Sequence, residues 1–516
     1  MTATTEVARS RRVSDTYLDS LRLLVATSVM SEREGVSWAG AVMATPSGRE
    51  SLAAEGFGDD VVGPAGSNDL VLAVRAADED AADAALEAGA EAAFADARTE
   101  SEGGAPAPPR TLTAAVERMP QADVAIVSVP GDFAALEAHH ALSANLHVLL
   151  FSDNVSLEEE VELKTRAQEL GLLVMGPGAG TAVIAGTGLG FANAVRRGPV
   201  GVVAAAGTGA QEVSALLDRW GVGVSHVIGV GGRDLSADVR GRMAIAAVRM
   251  LQADPGTEVI LLVSKPPDAE VAREVLAACG ATPAVATFLG LGELDGAGSV
   301  RLAPTLEAGA LAVAELTGRT PDLAVTGLRA RVEELAAGLG DDRRTVRGYF
   351  SGGTLCYEAQ LIVGRLLDAV YSNEPLDPER SVPAPSGAHV LLDLGAEEYT
   401  VGRPHPMIDP SARIELLRAE ARDPEVAVVL LDVVLGYGAH DDPAGELAPV
   451  LAEIMADGGP RVVAYVLGSE TDPQGYTEQR ARLEAVGCLV TETAARAAFA
   501  AAAIAGRRPD LVEGRL

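Results

Sequence analysis

The chain has 516 residues, 48% hydrophobic but only 3% aromatic, and its 41 Lys and Arg against 73 Asp and Glu give a net charge of −32. Such a length exceeds one hydrophobic core and predicts three domains, and no apolar run approaches the ~18 residues of a membrane span. The acidity argues against nucleic acid and against an anionic membrane as partners, because both demand a basic face.

Cys279, Cys356 and Cys488 stand far apart with no CxxC spacing, so neither a disulfide framework nor a zinc site is expected, and no metal is assigned. The opening MTATTEVARSRRVSD lacks a following apolar stretch and small-residue cleavage site, which makes the cytoplasm the expected compartment.

In chain order, YLDSLRLLVATSVM reads as a helix and WAGAVMAT as a strand after a turn at Gly35. DLVLAVRA, DVAIVSVP and HVLLFSD read as short apolar strands separated by alanine-rich helical segments, a pattern that predicts a parallel α/β sheet. TESEGGAPAPP reads as a surface loop, SLEEEVELKTRAQELG as a helix, and LLVMGPGAGT as a strand ending in glycines. A second domain opens at VGVVAAAGTGAQE and continues through GVGGRD, ILLVSKPP, PAVATFLG and the helical TLEAGALAVAELTG. A third carries RARVEELAAGLG, YFSGGTLCYEAQ, a proline-rich linker at 372–387, and buried-type strands in HVLLDLG, EVAVVLLDVVLG and RVVAYVLG. The second and third domains share this order, a weak internal duplication. The expected boundaries are 1–196, 197–322 and 323–516.

The turn at Gly207, Thr208 and Gly209 joins a strand to a helix, which aims unpaired backbone N–H groups and a helix dipole at one spot. Glu212 stands where a dinucleotide fingerprint needs its third glycine, which argues against NAD or FAD. Ser351, Gly352, Gly353 and Thr354 repeat the turn, with Glu358 in the place of Glu212. Two such turns predict a shared phosphate site, against the alternative of plain structural turns. Gly231, Gly232, Arg233 and Lys265 lie at strand carboxyl ends, where ligands collect in doubly wound sheets. Prolines stiffen EEYTVGRPHPMIDP, which presents Arg403, His405 and Asp409 as candidates for carboxylate binding and proton transfer. The turn at Gly436, Tyr437 and Gly438 precedes His440, a further catalytic candidate, and a helix start that Asp441 or Asp442 could cap.

AAGTGAQE, GVGGRDLS, DPGTEVILLVSKPP, FSDNVSLEEEVELKTRAQELGLLVMGP and TVGRPHPMIDP together resemble the FdrA family, which is acyl-CoA synthetase-like and built like fused succinyl-CoA synthetase subunits. The resemblance covers nearly the whole chain. It implies an α/β fold: a degenerate CoA-binding-type Rossmann domain followed by two flavodoxin-like, doubly wound domains. In the true ligases two helices starting at such turns stabilise a phosphohistidine, and likeness places them here at Gly207–Gly209 and Gly436–Gly438. No histidine lies between His226 and His389, where the ligases carry the phosphorylated one, and LDGAGS around Gly296 has none. No ATP-grasp domain precedes the third domain, and the first has no glycine loop suited to CoA. The resemblance therefore implies a carbamoyltransferase of the oxamate carbamoyltransferase type, acting in purine or allantoin breakdown. It would use carbamoyl phosphate and a small amide or amine acceptor, with no CoA or other cofactor, alongside partner subunits or further copies of itself. In that expectation the glycine turns hold phosphate, Arg233 and Lys265 offset its charge, and Arg403 and His405 orient the acceptor and the transferred carbonyl. The alternatives are an acid–CoA ligase with a relocated phosphohistidine at His405 or His440, and a non-catalytic subunit.

Overall fold

A computed structural model describes residues 6–18, 20–94, 108–292, 294–295, 298–321, 327–400, 404–420 and 423–514. The chain divides into one unit of 1–115 with 397–404 and another of 116–396 with 405–516.

In the smaller unit the order is β1 (Val7–Val13), α1 (Ser20–Ser31), β2 (Val36–Met43), α2 (Pro46–Ala54), β3 (Leu70–Ala76) and α3 (Glu79–Ala93). The strands form an antiparallel sheet in the order β1-β3-β2, so Leu70–Ala76 does not join the parallel sheet expected of it. The reason lies in its two covered faces. Leu70, Leu72 and Val74 pack with Met30 and Leu86, while Val71 and Ala73 on the opposite face pack with Leu52 and Phe57. A central strand apolar on both sides mimics the parallel-sheet pattern. β1 lacks apolar alternation because Arg9 and Arg11 reach Asp83 and Glu87 on α3. Most of the loop expected at TESEGGAPAPP falls outside the described residues.

The larger unit begins with β4 (Val124–Val127), α4 (Gly131–Ser143), β5 (His147–Leu150), α5 (Leu157–Leu170) and β6 (Val174–Met175), a small parallel sheet. A capping box between Ser156 and Glu159 starts α5. Next come the hairpin of β7 (Thr181–Ile184) and β8 (Thr187–Gly190), then β9 (Arg197–Ala205), α6 (Gly207–Arg219), β10 (Val224–Gly229), α7 (Arg242–Ala253), β11 (Val259–Ser264), α8 (Ala269–Ala278), β12 (Ala284–Phe288), β13 (Arg301–Leu302) and α9 (Leu306–Leu316). Their sheet runs β13-β12-β11-β9-β10-β7-β8, parallel from β13 to β10. The hairpin precedes residue 197 yet belongs to this sheet, because β7 pairs with β10.

The rest comprises α10 (Leu328–Ala337), β14 (Thr345–Phe350), α11 (Gly353–Leu366), β15 (Val370–Tyr371), β16 (His389–Asp393), α12 (Ser411–Glu420), β17 (Val426–Val434), α13 (Pro443–Met455), β18 (Arg461–Leu467), α14 (Tyr476–Ala485), β19 (Leu489–Thr491) and α15 (Ala494–Ala505). The parallel order β15-β16-β14-β17-β18-β19 repeats that of the preceding sheet, with β14 in the place of β9, β16 of β10 and β17 of β11. The internal duplication is therefore topological. One apolar core spans both sheets, from Val183 to Val512. Among the described residues no helix is long and apolar enough to cross a membrane.

Candidate functional site

The two glycine turns meet. Thr354 N, at the start of α11, donates to Thr208 Oγ1, at the start of α6, over 3.1 Å. The contact requires glycine on both sides: a Cβ on Gly352 would stand 2.9 Å from Thr208 Cγ2, and one on Gly209 would stand 3.0 Å from Thr354 Cγ2. One turn of helix further on, the two glutamates act across the same interface. Glu358 Oε1 accepts from Leu306 N, the first residue of α9, at 2.7 Å, and Glu212 Oε1 accepts from Ala494 N, the first residue of α15, at 3.3 Å. Each half thus caps the last helix of the other. Burial pushes Glu212 up to about 7 and Glu358 up to about 8. Tyr465 donates its hydroxyl to Glu212, and Glu307 holds Thr493 and Arg496 on α15.

The turns differ in what faces their donors. At α11, Ser351 N and Oγ both donate to Asp432 Oδ1 at 2.8 Å, and Gly352 N donates to Asp432 Oδ2 at 2.8 Å. Ser351 and Gly352, expected to bind phosphate, therefore spend their donors on a carboxylate of β17. Arg413 on α12 neutralises that buried charge through Nη1 at 2.9 Å. At α6 the first-turn N–H groups have no carbonyl one turn back to donate to. A Cβ on Gly207 would meet nothing within 4 Å, so this turn opens onto free space.

Beside the α11 turn, β16 ends in Asp393, which is 6% exposed. Its Oδ1 accepts from Gly395 N at 3.0 Å, and its Oδ2 would lie 2.3 Å from a Cβ on Gly353. Burial pushes Asp393 up to about 6, with the Lys265 ammonium pulling the other way. Lys265 Nζ also sits 5.7 Å from the centre of the Tyr357 ring. His405 joins the group: the Cβ position of Gly395 lies 2.6 Å from His405 Nε2, 2.9 Å from Ser351 O and 3.2 Å from Asp393 Oδ1. Met407 N donates to His405 Nδ1 at 3.2 Å, which leaves the ring proton on Nε2, and burial pushes His405 down to about 4. The Cys356 thiol is raised by burial and packs in the core.

Gly207, Thr208, Gly209, Gly353 and Thr354 thus meet at one junction, with Lys265 and His405 beside Asp393 on its α11 side; the remaining candidates lie as follows. Arg233 donates through Nε to Glu160 at 2.7 Å and through Nη2 to Val155 O at 2.7 Å. Exposed itself, it borders a buried network in which Lys164 binds Glu160 and Asp234. Gly231, with φ +89°, allows close approach to Gly176, and a Cβ on Gly232 would meet nothing within 4 Å. Asp409 accepts from Ser411 N at 2.9 Å and caps α12. His440 Nδ1 accepts from Asp442 N at 3.0 Å, and Asp442 caps α13. Gly436–Gly438 starts no helix: Tyr437 N donates to Ala192 O at 3.0 Å, and the helix that meets α6 is α11. Arg403 and Gly296 lie outside the described residues. Asp393, Asp432 and Arg413 were not among the expected residues, although an acid closing or interrupting an apolar run, as in HVLLD and VAVVLLD, signals a site at a strand's carboxyl end.

Two halves of repeated parallel α/β topology, joined through opposed helix starts, thus carry the candidate site. Residues 349–504 match the family model described as CoA-ligase, and residues 4–109 match one described as AllF, heavy metal-associated domain. The Escherichia coli protein YahF is 39% identical over 497 residues, 93% of this chain and 95% of YahF. The chain belongs to the family of YahF. The alpha 2 subunit of the ADP-forming succinate–CoA ligase of Archaeoglobus fulgidus is 28% identical over 166 residues, 31% of this chain and 56% of that one. A dinucleotide-forming acetyl-coenzyme A synthetase 1 from Ca. Korarchaeum cryptofilum, solved with phosphate and ADP, aligns at 17% identity and a TM-score of 0.28 over 76% of this chain and 84% of that one. The CoA-ligase match over residues 349–504 supports the acyl-CoA synthetase-like part of the resemblance. Residues 4–109 contain neither Cys nor His.

Proposed function

We propose that the junction of α6 and α11 binds a small acyl phosphate and passes its acyl group to an acceptor. The observation that carries this reading is the convergence of two helix starts through Thr208 and Thr354, with the α6 turn open at Gly207. Backbone N–H groups and the α6 dipole would take the phosphate, and Lys265 would offset its charge. The CoA-ligase match and the succinate–CoA ligase relative support a thiol acceptor, as in an ADP-forming acid–CoA ligase subunit. A second reading, carbamoyl transfer from carbamoyl phosphate to a small amide or amine, draws support from the histidines. None stands between His226 and His389, and His405 is a neutral donor beside the junction. Partner subunits belong to the proposal under either reading.

Calorimetry with inorganic phosphate, acetyl phosphate and carbamoyl phosphate tests the site. Gly207→Asp puts a negative charge into open space, so phosphate affinity should fall at least ~10-fold, about 1.4 kcal/mol, with an unchanged melting temperature. Affinity unaffected by the new charge, or no binding by the wild type, would refute the proposal.

A further inference from the structure

We propose that Asp393 is the proton acceptor of the transfer reaction, removing the proton from the attacking N–H or S–H of the acceptor; this rests on the acyl-phosphate reading of the junction. Four features of its setting support that role.

First, the side chain is placed and held. Asn373 grips its backbone from both sides, accepting from Asp393 N and donating to Asp393 O, each at 2.9 Å. Gly395 N fixes Oδ1, which leaves Oδ2 directed at the first residue of α11. Second, the two carboxylates at this turn are not equivalent. Asp432 is saturated by Ser351, Gly352 and Arg413, so its charge is committed to holding the turn. Asp393 Oδ2 faces the junction with no such commitment.

Third, the charges around Asp393 suit a base. Burial is the main influence opposing its ionised form, Lys265 and the Gly395 N–H favour that form, and Glu374 and Asp432 add to the effect of burial. The buried Cys356 beside it is held as a neutral thiol. A carboxylate raised to about 6 is ionised at neutral pH yet more basic than an exposed aspartate, as a general base requires. Fourth, its neighbour has the opposite role. His405 keeps its proton on Nε2 and can donate to the carbonyl oxygen as charge develops there. Two titratable groups with separated affinities divide acid and base work between them.

The step balances without a further reactant. The acceptor's N–H or S–H proton moves to Asp393 as nitrogen or sulfur bonds to the acyl carbon. The carbon–oxygen bond to phosphate breaks, phosphate leaves with the electron pair, and Asp393 returns the proton to it, giving hydrogenphosphate.

Asp393→Asn keeps an oxygen for Gly395 N and removes the base. On the full-length chain, calorimetry should find carbamoyl phosphate and acetyl phosphate bound at least as tightly as by the wild type, since a negative charge has gone. Phosphate release, from carbamoyl phosphate with oxamate or from acetyl phosphate with CoA, should fall at least ~100-fold in whichever reaction the wild type performs. The wild-type rate should rise with pH through about 6, and the variant should lose that limb. Retained rate, a retained limb, or a wild type that binds yet transfers to neither acceptor would overturn the role of Asp393. Absence of binding by the wild type would instead sink the acyl-phosphate reading beneath it.

Discussion

Replacing Glu358 by Gln should give the larger unit a stability advantage over the wild type that widens as pH rises from 6 towards 9. The carboxyl has an ordinary value of 4.5 and is pushed up to about 8 by burial, since its position between α11 and α9 shuts out water. Its folded value is the higher one, so the stability it contributes is complete below about 4.5 and is lost as pH rises through about 8. Across that interval the folded chain keeps a proton that the unfolded chain has released, at ~1.4 kcal/mol per pH unit, or about 5 kcal/mol over the whole span. Gln keeps the carbonyl oxygen that accepts from Leu306 N but has no proton to surrender. The chain has a pI near 4.6, so the practical window starts at pH 6. From pH 6 to pH 9 the advantage of the variant should widen by ~3 kcal/mol, the part of the span that lies below about 8. Urea unfolding provides the assay. Trp220 follows α6 and Trp38 lies on β2, so a Trp38→Phe background makes fluorescence report the larger unit alone. Glu212 and Glu307 face Glu358 and respond to its replacement, while the remaining pH-dependent groups are common to both proteins and cancel in the difference. A gap that stays constant from pH 6 to pH 9, or narrows, would refute the assignment of a protonated Glu358.

Gly352→Ala should destabilise the junction by ~1–3 kcal/mol, because its new methyl group would stand 2.9 Å from Thr208 Cγ2 and 3.0 Å from Asp432 Oδ2. Thermal unfolding measures the loss, and phosphate affinity should fall with it; a variant as stable as the wild type would show that the helix starts can separate freely. Arg413→Met should cost ~3–5 kcal/mol by leaving Asp432 buried without its cation. Chemical unfolding near neutral pH checks this, and a loss below ~1 kcal/mol would mean that the backbone donors of Ser351 and Gly352 suffice to hold the carboxylate.

Much of this architecture is visible in the residues before any coordinates. Apolar runs such as VILLVS and VAVVLLDVV announce strands covered on both faces, and the repeat of Gly-Thr with Glu four residues beyond marks the two opposed helices. What sequence hides is direction and pairing. Leu70–Ala76 has the same apolar pattern as a parallel strand, because helices happen to cover both faces of an antiparallel sheet. Gly436–Gly438 looks like a helix-starting turn, yet its backbone is committed to Ala192 and Gln474. Arg233 stands among glycines at a strand end, the usual place for a ligand residue, but its partner Glu160 lies 73 positions away. Arg413 sits in the ordinary amphipathic run RIELLRAE, where nothing distinguishes a buried counter-ion from a surface charge. Contacts of that range are set by the docking of elements, and one strand or helix alone carries no record of them.

The repeated strand order has a consequence for how the chain divides its chemistry. A true two-fold dimer of either half would carry the same side chains on both sides of its axis, and so the same charge at both helix starts. Here β16 ends in Asp393 and β17 contains Asp432, whereas β10 ends in Gly229 and β11 in Ser264. Two copies within one polypeptide can differ: here the second half alone carries Asp393, Asp432 and His405 beside its helix start, while the first half's helix start opens onto free space at Gly207. Identical subunits related by a two-fold axis could not differ in this way.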